Sequence, residues 1–165
     1  MYRFLLSLLL VAGIVASPAV ARFELKDATY FCTAEISAGL AFNKSTKKWE
    51  STTFKADEKF VLRMKYLRVR NVKDSLGKEE AVFDFNVSIT KAGTNYASPC
   101  NSHGSSQQSP ITVNQYDVFR CNSSLMDYVF NGNTNRFLQT YVGQYIQGDD
   151  GDTPAVTGGT CTKID

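Results

Sequence analysis

Between Phe60 and Thr90 apolar and polar side chains alternate with a period of two, which suits a strand with one buried face and does not suit a helix. Phe83, Phe85, Val87 and Ile89 alternate with Asp84, Asn86, Ser88 and Thr90. Ahead of them Phe60, Leu62, Met64 and Tyr66 alternate with Val61, Arg63 and Lys65. The phase then reverses, so that Leu67 and Val69 are expected to face inward and Arg68 and Arg70 outward. A β-bulge near Tyr66 reconciles the two phases. The two strands should form a hairpin across Asp74-Ser75-Leu76-Gly77-Lys78.

Similar runs at 29–42, 48–54, 111–121, 127–131, 136–147 and 155–164 bring the expectation to about eight short strands. Asn131-Gly132 is the preferred pair for a two-residue hairpin turn. Short helices stay open at 122–128 and in the loops, but no stretch carries a convincing amphipathic helix. The expected fold is therefore all-β and antiparallel, as a closed barrel or a sandwich. At 165 residues, 43% hydrophobic and 21% charged, the chain has the composition of one packed domain.

The front of the chain reads as an address. Met1-Tyr2-Arg3 precedes an apolar run from Phe4 to Ala16, and Ser17-Pro18-Ala19-Val20-Ala21 ends in small residues. Those are the parts of a secretory signal peptide, with cleavage expected after Ala21 and the domain occupying 22–165. The alternative, a membrane anchor, needs about 20 apolar residues and is stopped short by Pro18 and Arg22. Four cysteines follow, Cys32, Cys100, Cys121 and Cys161, and an even number in an exported chain points to two disulfides. Three pairings are open. The Ser/Gln/Pro-rich segment between Cys100 and Cys121 favours a bridge across it, which leaves Cys32 for Cys161. No CxxC pair is present, so zinc-ribbon and thiol redox chemistry are poorly supported.

A formal net charge of +2 argues against a nucleic-acid partner, and a single histidine rules out multi-His zinc sites. No P-loop, dinucleotide fingerprint, HExxH or GxSxG motif occurs, so no cofactor, metal or catalytic residue is assigned. The candidate partner-binding residues are the basic stripe Arg63, Lys65, Arg68 and Arg70, which suits phosphate, anionic glycan or headgroups, and His103 in a polar loop. Asp84, Glu79 and Glu80 should neutralise part of that stripe. Nothing local orients His103 as a general base. Asp149-Asp150-Gly151-Asp152 offers oxygen ligands without calcium-loop spacing and reads as a charged turn. Tyr116, Tyr128, Tyr141 and Tyr145 are expected to pack the core rather than form a recognition surface.

Two stretches, Phe42-Asn43-Lys44-Ser45-Thr46-Lys47-Lys48-Trp49-Glu50 within Cys32 to Phe54, and Asp152-Thr153-Pro154 with Gly159-Thr160-Cys161-Thr162-Lys163, resemble small bacterial exported proteins of no assigned activity. The resemblance implies a bacterial origin and a periplasmic or secreted location. Tyr30-Phe31-Cys32 is faintly similar to barrel-type periplasmic lysozyme inhibitors, but their inhibitory loop motif is absent. The expected function is a non-enzymatic binding domain for a protein, a glycan or a small apolar ligand, with no membrane span. One alternative is a small hydrolase of cell-wall or glycan material, which would need two of Glu35, Glu50, Asp84 and Asp117 across a cleft. The other is an apolar carrier, if a barrel is closed and hollow.

Overall fold

The computed structural model describes residues 26–103, 109–113 and 116–165, so the expected leader at 1–21 lies outside the described residues. Ten strands form one antiparallel sheet: β1 (Ala28–Asn43), β2 (Lys48–Thr53), β3 (Lys59–Lys73), β4 (Glu79–Lys91), β5 (Ser98–Cys100), β6 (Ile111–Val113), β7 (Val118–Ser123), β8 (Met126–Asn131), β9 (Arg136–Tyr141) and β10 (Ala155–Lys163). The order is β5-β4-β3-β1-β10-β9-β8-β7, with β2 on β1 and β6 on β4. β1 and β10, the first and last strands, lie side by side at its centre.

The sheet curls on itself. β3 and β8 are separated by β1, β10 and β9, yet the rings of Phe60 and Tyr128 meet edge to face with centroids 5.6 Å apart. Phe60 meets Phe137 at 4.9 Å and Tyr30 meets Phe130 at 5.0 Å in the same way. Inward residues of every strand but β2 and β5 thus build one aromatic-rich core, joined by Cys100 from β5. Phe119, Phe130 and Phe137 face one another across β7, β8 and β9, and the next residue in that row is Gly159 on β10. A Cβ at Gly159 would collide with the Thr33 carbonyl and the Phe137 ring, so the missing side chain lets strand and ring approach.

Among the described residues the ladder does not run all the way round, so the expected closed barrel is not supported. At the seam the two edges meet through one isolated bridge, in which Asn101 and Asn122 each donate a backbone N–H to the other's carbonyl at 2.8 Å. The Cys100–Cys121 disulfide sits beside that bridge. The second disulfide joins Cys32 to Cys161, directly opposed on β1 and β10 with Cα atoms 3.9 Å apart. The Cys161 N–H turns away from β1 to the Asn135 carbonyl, so this is a non-hydrogen-bonded pair, where opposed side chains come closest.

The bulge lies where the phase change puts it, between Tyr66 and Arg68. Arg68 then shares a face with Asp84, and Val69 with Phe83. Leu67 and Val69, expected to be inward, are 40% and 51% exposed: Leu67 is the bulge residue, without a partner on β4, and β3 has no β1 neighbour beyond Met64. The expected strand 111–121 is two strands, β6 and β7, and Asp117 before β7 has φ 53°. The strand expected to reach 147 stops at Tyr141, and residues Tyr145–Gln147 form one turn of 3-10 helix. Asn131-Gly132 is no two-residue turn: residues 132–135 connect β8 to β9 and the left-handed residue is Asn135, φ 55°. The Asn131 Oδ1 accepts the N–H groups of Asn133 and Thr134, and so fixes a wider loop.

The true two-residue turn joins β7 to β8 at Ser124-Leu125, inside the segment left open for a short helix. Both residues have positive φ, 51° and 67°, which a leucine side chain disfavours. Replacing the pair with Asn-Gly is expected to stabilise the protein by roughly 1 kcal/mol, raising the urea midpoint without changing the slope.

Candidate functional site

The basic stripe divides into two unlike halves. Asp84 sits on the outer face of β4 but is only 1% exposed, because Arg68 and Arg70 from β3 and Thr112 from β6 close over it. Arg70 Nε and Nη2 donate to its two oxygens at 2.7 and 2.9 Å, Arg68 Nε donates at 3.0 Å, and the Thr112 hydroxyl donates at 3.0 Å. These bonds, Arg70's above all, outweigh desolvation and hold the Asp84 carboxyl down at about 2. Arg68 and Arg70 are therefore tied into the sheet, and Asp84 is an internal anion rather than a catalytic acid.

Arg63 and Lys65 behave differently. Arg63 Nη1 donates to the Thr90 hydroxyl at 3.0 Å, and neither side chain meets a carboxylate among the described residues. Both line a trough of about 620 Å³ that opens to solvent over β3 and β4. Its floor carries Arg63 beside Ser88 and Lys65 beside Asn86. One wall holds Asp27, Thr29 and Asp165; the other is Ala97 and Pro99. The wall carboxylates already accept backbone N–H groups, Asp27 from Tyr66 at 2.9 Å and Asp165 from Thr29 at 2.7 Å. The bonds from Thr29 hold the Asp165 carboxyl below its ordinary range, with a smaller contribution from Lys163 and Lys26. A second hollow of about 460 Å³ differs in this respect, since two of its cations are matched: Lys55 with Asp57 at 3.0 Å and Lys91 with Glu58 at 3.1 Å.

His103 lies apart from the trough lining and 3.4 Å from Asp127 of β8, which also accepts from Asn122 at 3.2 Å. This partner was invisible in the sequence, because the segment after β5 meets the β7–β8 hairpin only at the seam. The imidazole is 79% exposed, and the loop beyond it includes 104–108, outside the described residues. The hydrolase carboxylates have four different surroundings. Glu35 on β1 accepts from Thr160 at 2.6 Å, and Glu50 on β2 accepts from Asn43 at 2.9 Å and Thr46 at 3.2 Å. Asp84 is enclosed by arginine, and Asp117 is buried ahead of β7.

In the charged turn, Asp152 accepts from the Tyr141 hydroxyl and, at 2.6 Å, from the Gln144 N–H. No group of three or more metal-ligating side chains is found among the described residues. Of the four tyrosines expected in the core, Tyr128 is buried, whereas Tyr116 and Tyr145 are 65% and 39% exposed. Burial raises the Tyr128 phenol, which accepts from the buried Gln139 amide at 3.2 Å. The gap among Cys32, Phe60, Phe119, Phe130 and Phe137 is about 10 Å³, which leaves no room there for a carried ligand.

Fold and disulfides define a class: an antiparallel all-β domain, stapled twice, of the kind that oxidising compartments preserve. Among the described residues no helix is long and apolar enough to cross a membrane. The chain matches no protein-family model, no curated protein and no solved structure.

Proposed function

We propose that this chain is an exported, non-enzymatic binding domain whose recognition surface is the outer face of β3 and β4. The single observation that carries this reading is the pair Arg63 and Lys65, without an ion-pair partner, in an open trough, on a β3 strand whose other two outward arginines, Arg68 and Arg70, are internally neutralised. The leader-like start, the resemblance to small bacterial exported proteins and the two disulfides support the periplasm or the cell exterior. The hydrolase reading gains little, because Glu35, Glu50 and Asp84 are each engaged in separate structural hydrogen bonds. The carrier reading would need space that the aromatic core fills.

The test uses oxidised, leader-free protein with insoluble peptidoglycan and with acidic and neutral polysaccharides. Retention on at least one of them, with no release of reducing ends, is the expected result. Release of reducing ends that disappears in a Glu35→Gln or Glu50→Gln variant would establish the hydrolase instead.

A further inference from the structure

We infer that the trough over β3 and β4 is a binding site for an anionic oligosaccharide, with Arg63 and Lys65 as separate cationic contacts; this rests on the binding reading above. Arg63 and Lys65 are two residues apart on one strand, so their Cα atoms are about 6.5–7 Å apart on the same face. Arg63 is paired with Ser88, but its guanidinium reaches to Thr90, paired with Val61, and is thereby drawn away from Lys65. The Arg63 guanidinium is thus held away from a point between the two residues where one phosphate would have to sit. The two cations suit anionic groups spaced along an extended ligand.

The other lining side chains specify what lies between those charges. Thr29, Ser88 and Asn86 present hydroxyl and amide groups, and Ala97 with Pro99 give a short apolar wall for C–H faces. An extended acidic peptide is the competing ligand, but strands recognise peptides mainly by lending backbone hydrogen bonds at an open edge. At the Arg63 end of the floor no such edge is open: β3 is paired on both sides at Arg63, with Thr29 and Ser88, and β4 is paired on both sides at Ser88, with Arg63 and Pro99. Recognition at that end goes through side chains, which is how sugars are held. Lys163 and Lys26 bear electrostatically on Asp165, so that wall carboxylate is offset from outside the floor.

Trigalacturonate is the probe, titrated calorimetrically against oxidised protein, with maltotriose, inorganic phosphate and penta-aspartate as the other arms. Trigalacturonate is expected to bind, more weakly as NaCl rises from about 50 to about 500 mM, and maltotriose to bind at least about tenfold more weakly. The double variant Arg63→Ala/Lys65→Ala should lose binding by about tenfold or more with its melting temperature nearly unchanged, since both side chains lie on the exposed face. Arg120→Ala, an exposed cation on β7, should bind like the parent protein. Absence of trigalacturonate binding, equal binding of phosphate or penta-aspartate, or an unaffected double variant would each overturn the assignment. If the polysaccharide retention assay still succeeds in that case, the chain is still a binding domain, and its recognition surface lies elsewhere than the outer face of β3 and β4.

Discussion

A double variant with Cys32 and Cys161 both changed to alanine should melt at least ~10 °C below the parent protein in oxidising buffer. The bridge spans 129 residues of sequence, against 21 for Cys100–Cys121. In the chain-entropy model the longer closure is worth about 5 kcal/mol and the shorter about 3 kcal/mol. For a domain of this length each kcal/mol moves the melting temperature by roughly 3 °C. Position adds to length. Cys32 is fully buried, and Cys161 lies against the core between β1 and β9, so alanine also removes sulfur from a packed interior. The companion variant Cys100→Ala/Cys121→Ala should cost less, because the Asn101–Asn122 bridge still pins the seam. Calorimetry of both variants checks the ranking. A larger loss at the seam would mean that holding the sheet edges together outweighs tying its first and last strands.

What the sequence disclosed and what it hid follow from the range of the forces involved. Alternation is local, so the paired strands β3 and β4, their 74–78 loop and the bulge at Tyr66 were legible from Phe60 to Thr90. Curling is not local: no pattern in the chain says that Phe60 will meet Phe137. The turn at Ser124-Leu125 escaped because the pair lacks the Asn or Gly that positive φ favours; pairing of Val118–Ser123 with Met126–Asn131 imposes those φ values. Conversely, Asn131-Gly132 is a strong turn signal overridden by the side-chain carbonyl of Asn131. At the candidate site the four cations were legible as an outward stripe. Their division was not, because Thr112, which helps bury Asp84, comes from a strand 28 residues away in sequence. The seam pairing of His103 with Asp127 was hidden for the same reason.

The buried carboxylate gives the second large effect, and its pH dependence has a definite sign. Asp84 titrates at about 2 in the folded protein against an ordinary 3.8, so its stabilisation is fully present above about pH 4 and is lost as pH falls toward 2. Asp84→Asn should cost roughly 1–2 kcal/mol at pH 7, after allowance for the partly solvated arginines, and should flatten the stability profile between pH 4 and 2. The arginines lose a partner but keep their solvent, being 64% and 41% exposed. Asp84, at 1%, has no such recourse. Arg68→Met/Arg70→Met should therefore be worse than Asp84→Asn, by roughly 3–5 kcal/mol against the parent at pH 7, because it strands a charge that water cannot reach. With only Thr112 left, desolvation dominates and pushes the carboxyl above its unfolded value. The sign then reverses: relative to its own stability at pH 7, the double arginine variant should gain as pH falls through that raised value, while the parent loses between pH 4 and 2. Urea midpoints at pH 7, 5 and 3 separate the two. If the double variant were no less stable than Asp84→Asn at neutral pH, the carboxylate would have to be reaching water, and the distinction between these two tied arginines and the free pair in the trough would fail.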